Sequence, residues 1–312
     1  MKQKIIIDTD PGQDDAVAIL FALASVELDI LGITCVAGNV GLELASLNAR
    51  KICELANRPD IRIFSGAKKP LTRELITAEH VHGKTGLDGV ELPYPQMKVS
   101  SIHAVDFICQ SINQSPEGEI TICALGPLTN IALAFQKDRN LSKKIKQVVL
   151  MGGAGSQLGN ITPCAEFNFF VDPEAAAIVL ASGVKIIMHS LDTTHQTLTS
   201  RTIVERFFAL GNHCGSSVAS LINFFERYDS EKYGIDGAPL HDPNVIVYLV
   251  APNLYKGKMV NVEIELSSSF TLGMSIVDFW GVTERKKNVY FIQKVDANLV
   301  FDYLIERLRL LP

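Results

Sequence analysis

The chain has 312 residues, of which 47% are hydrophobic and 20% charged, enough to bury a large core without disulfides or a partner. A net charge of −5, with the cations scattered, gives no field for a nucleic-acid backbone, and no nucleic-acid partner is expected. The amino terminus has only a three-residue apolar run before carboxylates begin, and no later stretch reaches the length of a membrane span, so neither export nor membrane insertion is expected.

Over the first two hundred residues, short β-branched runs at 5–7, 30–36, 120–124, 148–151 and 184–188 alternate with helix-like segments at 15–24, 42–56, 103–113, 128–135 and 173–181. This alternation predicts crossover units and a mainly parallel sheet flanked by helices, an α/β fold. The last third predicts helices at 202–209 and 218–228 and another from 243. Strands follow near 259 and 289, then a closing helix at 298–310, elements that flank or extend the sheet. No linker-like stretch interrupts the pattern, so residues 1–312 read as one domain. The six cysteines are widely spaced, lack a CxxC pair and lie mostly in apolar runs, which fits reduced thiols and a cytoplasmic protein.

Ligands of open parallel sheets bind at the carboxyl ends of the strands. The polar residues expected there are Asp8 and Asp10 after the first strand, Asn39 after the second, the Gly126-Pro127 turn after 120–124, and Gly152-Gly153 after 148–151.

DTDPGQDD packs Asp8, Asp10, Asp14 and Asp15 into eight residues with no cation among them. Four carboxylates at one strand end repel one another unless some are protonated or a cation sits between them, and all-oxygen ligation favours calcium or magnesium. A blander reading makes Asp14 and Asp15 complements of the following helix's dipole and Asp8 a turn cap, but capping requires one or two carboxylates, not four. An EF-hand is set aside because the glycine at its sixth position and the glutamate at its twelfth are missing. A phosphatase with an aspartyl nucleophile would share the DxD, yet its expected lysine and distal acidic pair are not found. MGGAGSQLG, with Leu158 where a third glycine belongs, is not a dinucleotide fingerprint.

Seven blocks in order carry a more specific signal: DTDPGQDDA at 8–16, AGN at 37–39, HGKTGLDG at 82–89, GPLTN at 126–130, MGG at 151–153, GNITPCAEFNFFVDPEAA at 159–176 and LHDP at 240–243. Together they resemble the inosine-uridine type nucleoside hydrolases, calcium-dependent enzymes that split a ribonucleoside into ribose and free base. The resemblance implies one calcium ion held by Asp10, Asp15, Asp242 and the Leu125 carbonyl. That ion would orient the ribose 2′ and 3′ hydroxyls and acidify the attacking water, with Asp10 as general base. It also implies ribose contacts from Asp14, Asn39, Asn160, Glu166, Asn168 and Asp242, with Met151 and Phe167 beside them. Asn39 and Asn160 each adjoin a glycine and could instead serve tight turns.

A general acid near the base is expected, His241 first and His82 second, although a lone histidine is more often structural. Tyr228 and Tyr233 precede GIDGAPLHDP, where relatives carry a segment that contacts the base, although either ring could simply pack. Position 13 is glutamine where many relatives have histidine. The pair His82 and His241 is most like the pyrimidine-preferring branch, making uridine and cytidine the first substrates and purine ribonucleosides the alternative. A calcium-dependent nucleoside-binding protein without turnover is the reading from another class. The resemblance implies a homodimer or homotetramer.

Overall fold

The computed structural model describes residues 2–233 and 237–312, with the side chains of 229–233 outside that description. Ten strands form one sheet: β1 (Gln3–Thr9), β2 (Leu28–Cys35), β3 (Ile63–Ser65), β4 (Val99–Ser100), β5 (Ile120–Ala124), β6 (Gln147–Met151), β7 (Ile186–His189), β8 (Tyr255–Ile264), β9 (Ser275–Asp278) and β10 (Val289–Val295). Helices α1 to α13 are Gln13–Ala24, Leu42–Leu55, Glu79–His82, Ala104–Gln114, Thr129–Lys137, Leu141–Lys144, Phe167–Val171, Pro173–Ala181, Leu191–Thr194, Arg201–Phe208, His213–Tyr233, Pro243–Val250 and Ala297–Leu308.

The strand order is β4-β3-β2-β1-β5-β6-β7-β10-β8-β9, parallel from β4 through β10 and antiparallel where β8 and β9 extend it. This is the α/β architecture expected from the alternation, and the late strands extend the sheet while the late helices flank it. β3, β4 and β9 were not anticipated. Each is four residues or fewer, too short to show a period against its surroundings.

Parallel strands covered on both faces need side chains that are apolar in both directions. β1 meets this with consecutive isoleucines. Ile5 and Ile7 join the core packed under α1, α2, α11, α12 and α13, while Ile6 joins the core under α4, α5 and α8. α1 is buried along its whole length, packed against α2, α11, α12 and α13, which is why its sequence is apolar on nearly every side.

The chain runs outward from β1 to β4, then returns to lay β5 on the other side of β1. The crossovers therefore diverge between β1 and β5, and a crevice opens beyond their carboxyl ends. Asp10 leaves β1 and Leu125 leaves β5 at that divergence. All six cysteines are free thiols. Among the described residues no helix is long and apolar enough to cross a membrane.

Candidate active site

Beyond β1 the chain turns through Pro11 and Gly12 and enters α1, whose first turn carries Asp14 and Asp15. Asp242 comes from the other end of the sequence as the residue before α12, and α12 packs against α1. Asp14, Asp15 and Asp242 are all buried, and each offers an oxygen within 4.8 Å of the others. Asp15, read in the blander alternative as a complement to the helix dipole, also caps the start of α1: its Oδ2 accepts the Gly12 N–H at 2.9 Å, and its Oδ1 accepts the Thr9 hydroxyl.

Asp10 lies beside this group. Its Oδ2 accepts the Asn39 N–H at 2.7 Å, while its Oδ1 is buried without a hydrogen-bond partner among the described residues. The carboxylate fits only because Gly38 and Gly126 crowd it from both sides: a Cβ would stand 2.1 Å from Oδ2 on the first and 2.2 Å from Oδ1 on the second.

Burial raises the pKa of all four carboxylates, Asp14 to about 7 and Asp10 and Asp242 well above the usual carboxylate range, and their mutual repulsion adds to the rise for Asp10, Asp14 and Asp242. No lysine or arginine lines the cavity above them among the described residues. A cluster of oxygen donors with an orphan oxygen and no cationic side chain fits a hard divalent cation. The Leu125 carbonyl also faces this space and already accepts Asn168 Nδ2 at 2.7 Å.

One correction concerns Asp8. It lies within β1, and its Oδ1 is taken up by the Thr34 hydroxyl at 2.5 Å and Asn130 Nδ2 at 2.8 Å. The fourth carboxylate of the group is Asp242, not Asp8. The run DTDPGQDD is dense in sequence, but the strand end divides it between two environments.

A cavity of about 540 Å³ opens over the acidic floor, within the range of small-molecule sites. One wall is the segment leading into α7. Glu166 caps α7 by accepting the N–H of Asn168 at 2.9 Å and of Phe169 at 3.2 Å, and it also accepts the Gly153 N–H at 2.8 Å. Burial still pushes its pKa up to about 7. Asn168 Nδ2 donates to the Leu125 and Met151 carbonyls, and Asn160 Oδ1 accepts the Phe167 N–H at 2.9 Å. Thus Asn160 and Glu166 both shape the loop and line the cavity, and for Asn160 the turn reading holds.

Four histidines, His80, His82, His195 and His241, also line the cavity. His82 Nδ1 is 2.6 Å from Gln13 Oε1, and its ring stacks on Phe225. His241 Nδ1 is 2.7 Å from the Thr194 hydroxyl, with the His195 ring 5.9 Å away. Burial pushes both His82 and His241 down to about 3, so both rings are neutral near pH 7. Tyr228 meets the His80 ring edge-on at the cavity margin.

Of the side chains expected to bind substrate, Asp14, Asn39, Met151, Asn160, Glu166, Phe167, Asn168, Tyr228 and Asp242 line this one cavity, together with His82 and His241. Asp10 and Asp15 lie beneath its floor. The side chain of Tyr233 falls outside the described residues. His80, His195 and Phe225 also line the cavity and were not anticipated, since none sits in a recognisable block.

The model of the inosine-uridine preferring nucleoside hydrolases matches residues 5–302. The chain belongs to that family. An uncharacterised protein of Schizosaccharomyces pombe is 50% identical over 309 residues, covering 99% of this chain and all of its own length. The pyrimidine-specific ribonucleoside hydrolase RihA of Enterobacter sp. strain 638 is 44% identical over 309 residues, 99% of this chain and 98% of RihA. The solved structure of a plant nucleoside hydrolase, PpNRh1, superposes with a TM-score of 0.92 at 36% identity, covering 99% of each chain. The nucleoside hydrolase fold therefore accounts for nearly the whole chain, and the acidic floor is an aspartate cluster that fits a metal-bound catalytic site.

Proposed function

We propose that this nucleoside hydrolase cleaves the N-glycosidic bond of pyrimidine ribonucleosides, uridine and cytidine, to ribose and free base. The observation that carries the reading is one cavity that brings together an acidic floor and two neutral histidines, buried His82 and half-buried His241. The likeness to a pyrimidine-specific hydrolase over nearly its full length supports the same choice. Inosine and other purine ribonucleosides are the alternative substrates.

Asp10, Asp15, Asp242 and the Leu125 carbonyl would hold one calcium ion, with Asp14 close by. Such an ion would keep these carboxylates ionised and would supply a Lewis acid for the ribose diol and the attacking water. Asp10 removes the proton from that water through its otherwise unpartnered Oδ1. The water oxygen bonds to C1′ as the bond from C1′ to the base nitrogen breaks, and the bonding pair leaves with the base. Asp14, Asn39, Asn160, Glu166, Asn168 and Asp242 hold the ribose hydroxyls, with Met151 and Phe167 packed against the sugar. These contacts raise the rate to the extent that they tighten as positive charge develops on the ring oxygen. His241, with His82 beside it, assists the departing base, and Tyr228 at the cavity margin contacts it.

We read residues 1–312 as one catalytic domain that assembles as a homodimer or homotetramer in the cytoplasm and serves nucleoside salvage. Sedimentation of the purified protein tests the assembly.

The deciding experiment measures ribose release from uridine after exhaustive chelation, before and after calcium is restored, with inosine in parallel. Calcium-restored release from uridine is expected. Much faster turnover of inosine would overturn the pyrimidine choice, and tight uridine binding without release would make the protein a nucleoside binder.

A further inference from the structure

Gln13, the first residue of α1, is buried against His82. Its Nε2 donates to two main-chain carbonyls, that of His82 at 2.9 Å and that of Asp88 at 3.1 Å. A carbonyl oxygen cannot donate, so the amide nitrogen must be the atom facing them, and Oε1 must be the atom facing the imidazole. That oxygen stands 2.6 Å from His82 Nδ1. An amide oxygen only accepts, so Nδ1 must carry the hydrogen.

The rest of the pocket leaves the ring little freedom. Phe225 stacks on one face, with ring centroids 5.5 Å apart and planes 25° from parallel. Gly12 gives Nδ1 its room, since a Cβ there would lie 2.5 Å away. Burial pushes the pKa of His82 down to about 3, so the ring gains no second proton near neutrality. The ring lines the cavity, and no described group hydrogen-bonds its Nε2.

We propose that Gln13 is a positioning residue that fixes His82 in its Nδ1–H tautomer, so that Nε2 meets the nucleobase as a hydrogen-bond acceptor and not as a proton donor. The matching ligand edge is one with an N–H donor, such as N3–H of uracil or the exocyclic amine of cytosine. This rests on the nucleoside reading and separates recognition from proton transfer: His82 recognises the base as an acceptor, and donation to the leaving group falls to another group. A ribonucleoside that lacks a donor on that edge loses the contact.

The test is nitrogen NMR on histidine-labelled whole protein near neutral pH, with the His82 signals identified by their loss in His82→Phe. In the wild type a protonated Nδ1 and a bare Nε2 are expected for His82. In Gln13→Met, which keeps the length and removes both amide functions, His82 is expected to populate both tautomers. The KM for uridine is expected to rise about three- to tenfold, the scale of one neutral hydrogen bond, with kcat changed less. A wild-type His82 protonated on Nε2, an unchanged tautomer in Gln13→Met, or a fall in kcat at constant KM would each overturn the proposal. The wild-type spectrum decides the tautomer even if Gln13→Met does not fold. A wild type that releases ribose from no nucleoside would sink the proposed activity while leaving the spectrum to decide the tautomer.

Discussion

Asp278, at the antiparallel edge of the sheet, and Asp14, under the cavity at its centre, are the same side chain with opposite fates. Asp278 accepts the N–H groups of Val282 and Thr283 and the Thr283 hydroxyl in an exposed turn, and these donors hold its pKa down near 2. Glu265, a few residues away in sequence from that edge, is held near 2 in the same way by Ser267 and Ser268. Asp14 is buried beside other carboxylates, and its pKa rises to about 7. At the edge each carboxylate is matched to donors within five residues of its own position. At the centre the fold buries carboxylates and leaves part of their bonding capacity open, and this asymmetry distinguishes a site from a turn.

The most severe way to break that contrast is to neutralise one carboxylate at each end. Asp10→Asn is expected to lower kcat for uridine by about 10³-fold, inside the ~10²–10⁴ range of a lost general base, whereas Asp278→Asn leaves kcat within twofold of wild type. Ribose release under saturating calcium measures both. An Asp10→Asn enzyme within tenfold of wild type would remove Asp10 from the base role. In chelator the same variant is expected to melt close to wild type, because burial and the neighbouring carboxylates already favour the uncharged form of Asp10.

Calcium itself sharpens the comparison. A ligand that binds only the folded state stabilises it by about 2.7 kcal/mol at one hundred times its Kd, so calcium is expected to raise the melting temperature of the chelated wild type by several degrees. Asp242→Asn is expected to lose most of this shift and Glu265→Gln none of it. Equal shifts in all three proteins would mean that calcium binds elsewhere or nonspecifically.

What could be read from sequence follows the same division between local and distant. β1, the turn after it and the acidic start of α1 lie within one stretch of about twenty residues, so strand pattern, turn residues and charge all pointed to the same place. Asp242 reaches that place only because α12 packs on α1, and no periodicity carries such information; the family resemblance alone supplied it. Asp8 shows the converse error. It is as close to Asp10 in sequence as a residue can be while sharing a strand face, yet Thr34 from β2 and Asn130 from α5 claim it first. The fold class survived the omission of β3, β4 and β9 because the sheet's order is set by the long central strands. His80, His195 and Phe225 come to the cavity from segments whose local sequence has no feature beyond an aromatic ring among polar or apolar neighbours.

The mildest test concerns acid, where the interior and the edge lose stability in different windows. His189 is fully buried at the end of β7, edge-on to Tyr248 and Tyr255, and neither ring nitrogen has a hydrogen-bond partner among the described residues. Burial pushes its pKa from an ordinary 6.5 to about 3. Between those values the unfolded chain binds a proton that the folded one refuses, so the stability His189 contributes is complete above about pH 6.5 and is lost progressively as pH falls toward 3. His189→Phe, which keeps a ring against both tyrosines, is expected to flatten the decline of stability between pH 6 and 4 by up to about 1.4 kcal/mol per pH unit relative to wild type. His82 and His241 titrate in the same sense, so the wild-type slope includes them and the difference between the two proteins isolates His189. Asp278 has the opposite chemistry and the same sign: its folded pKa of about 2 lies below the ordinary 3.8, so its contribution holds above pH 3.8 and disappears only as pH falls through 2. Urea midpoints measured from pH 7 to 3 should therefore separate His189→Phe from wild type well above pH 4 and leave Asp278→Asn parallel to wild type until the pH approaches 3.8. Identical slopes for His189→Phe and wild type would show that the ring is hydrated or protonated in the folded protein, and that the interior at this strand end is less dry than its packing implies.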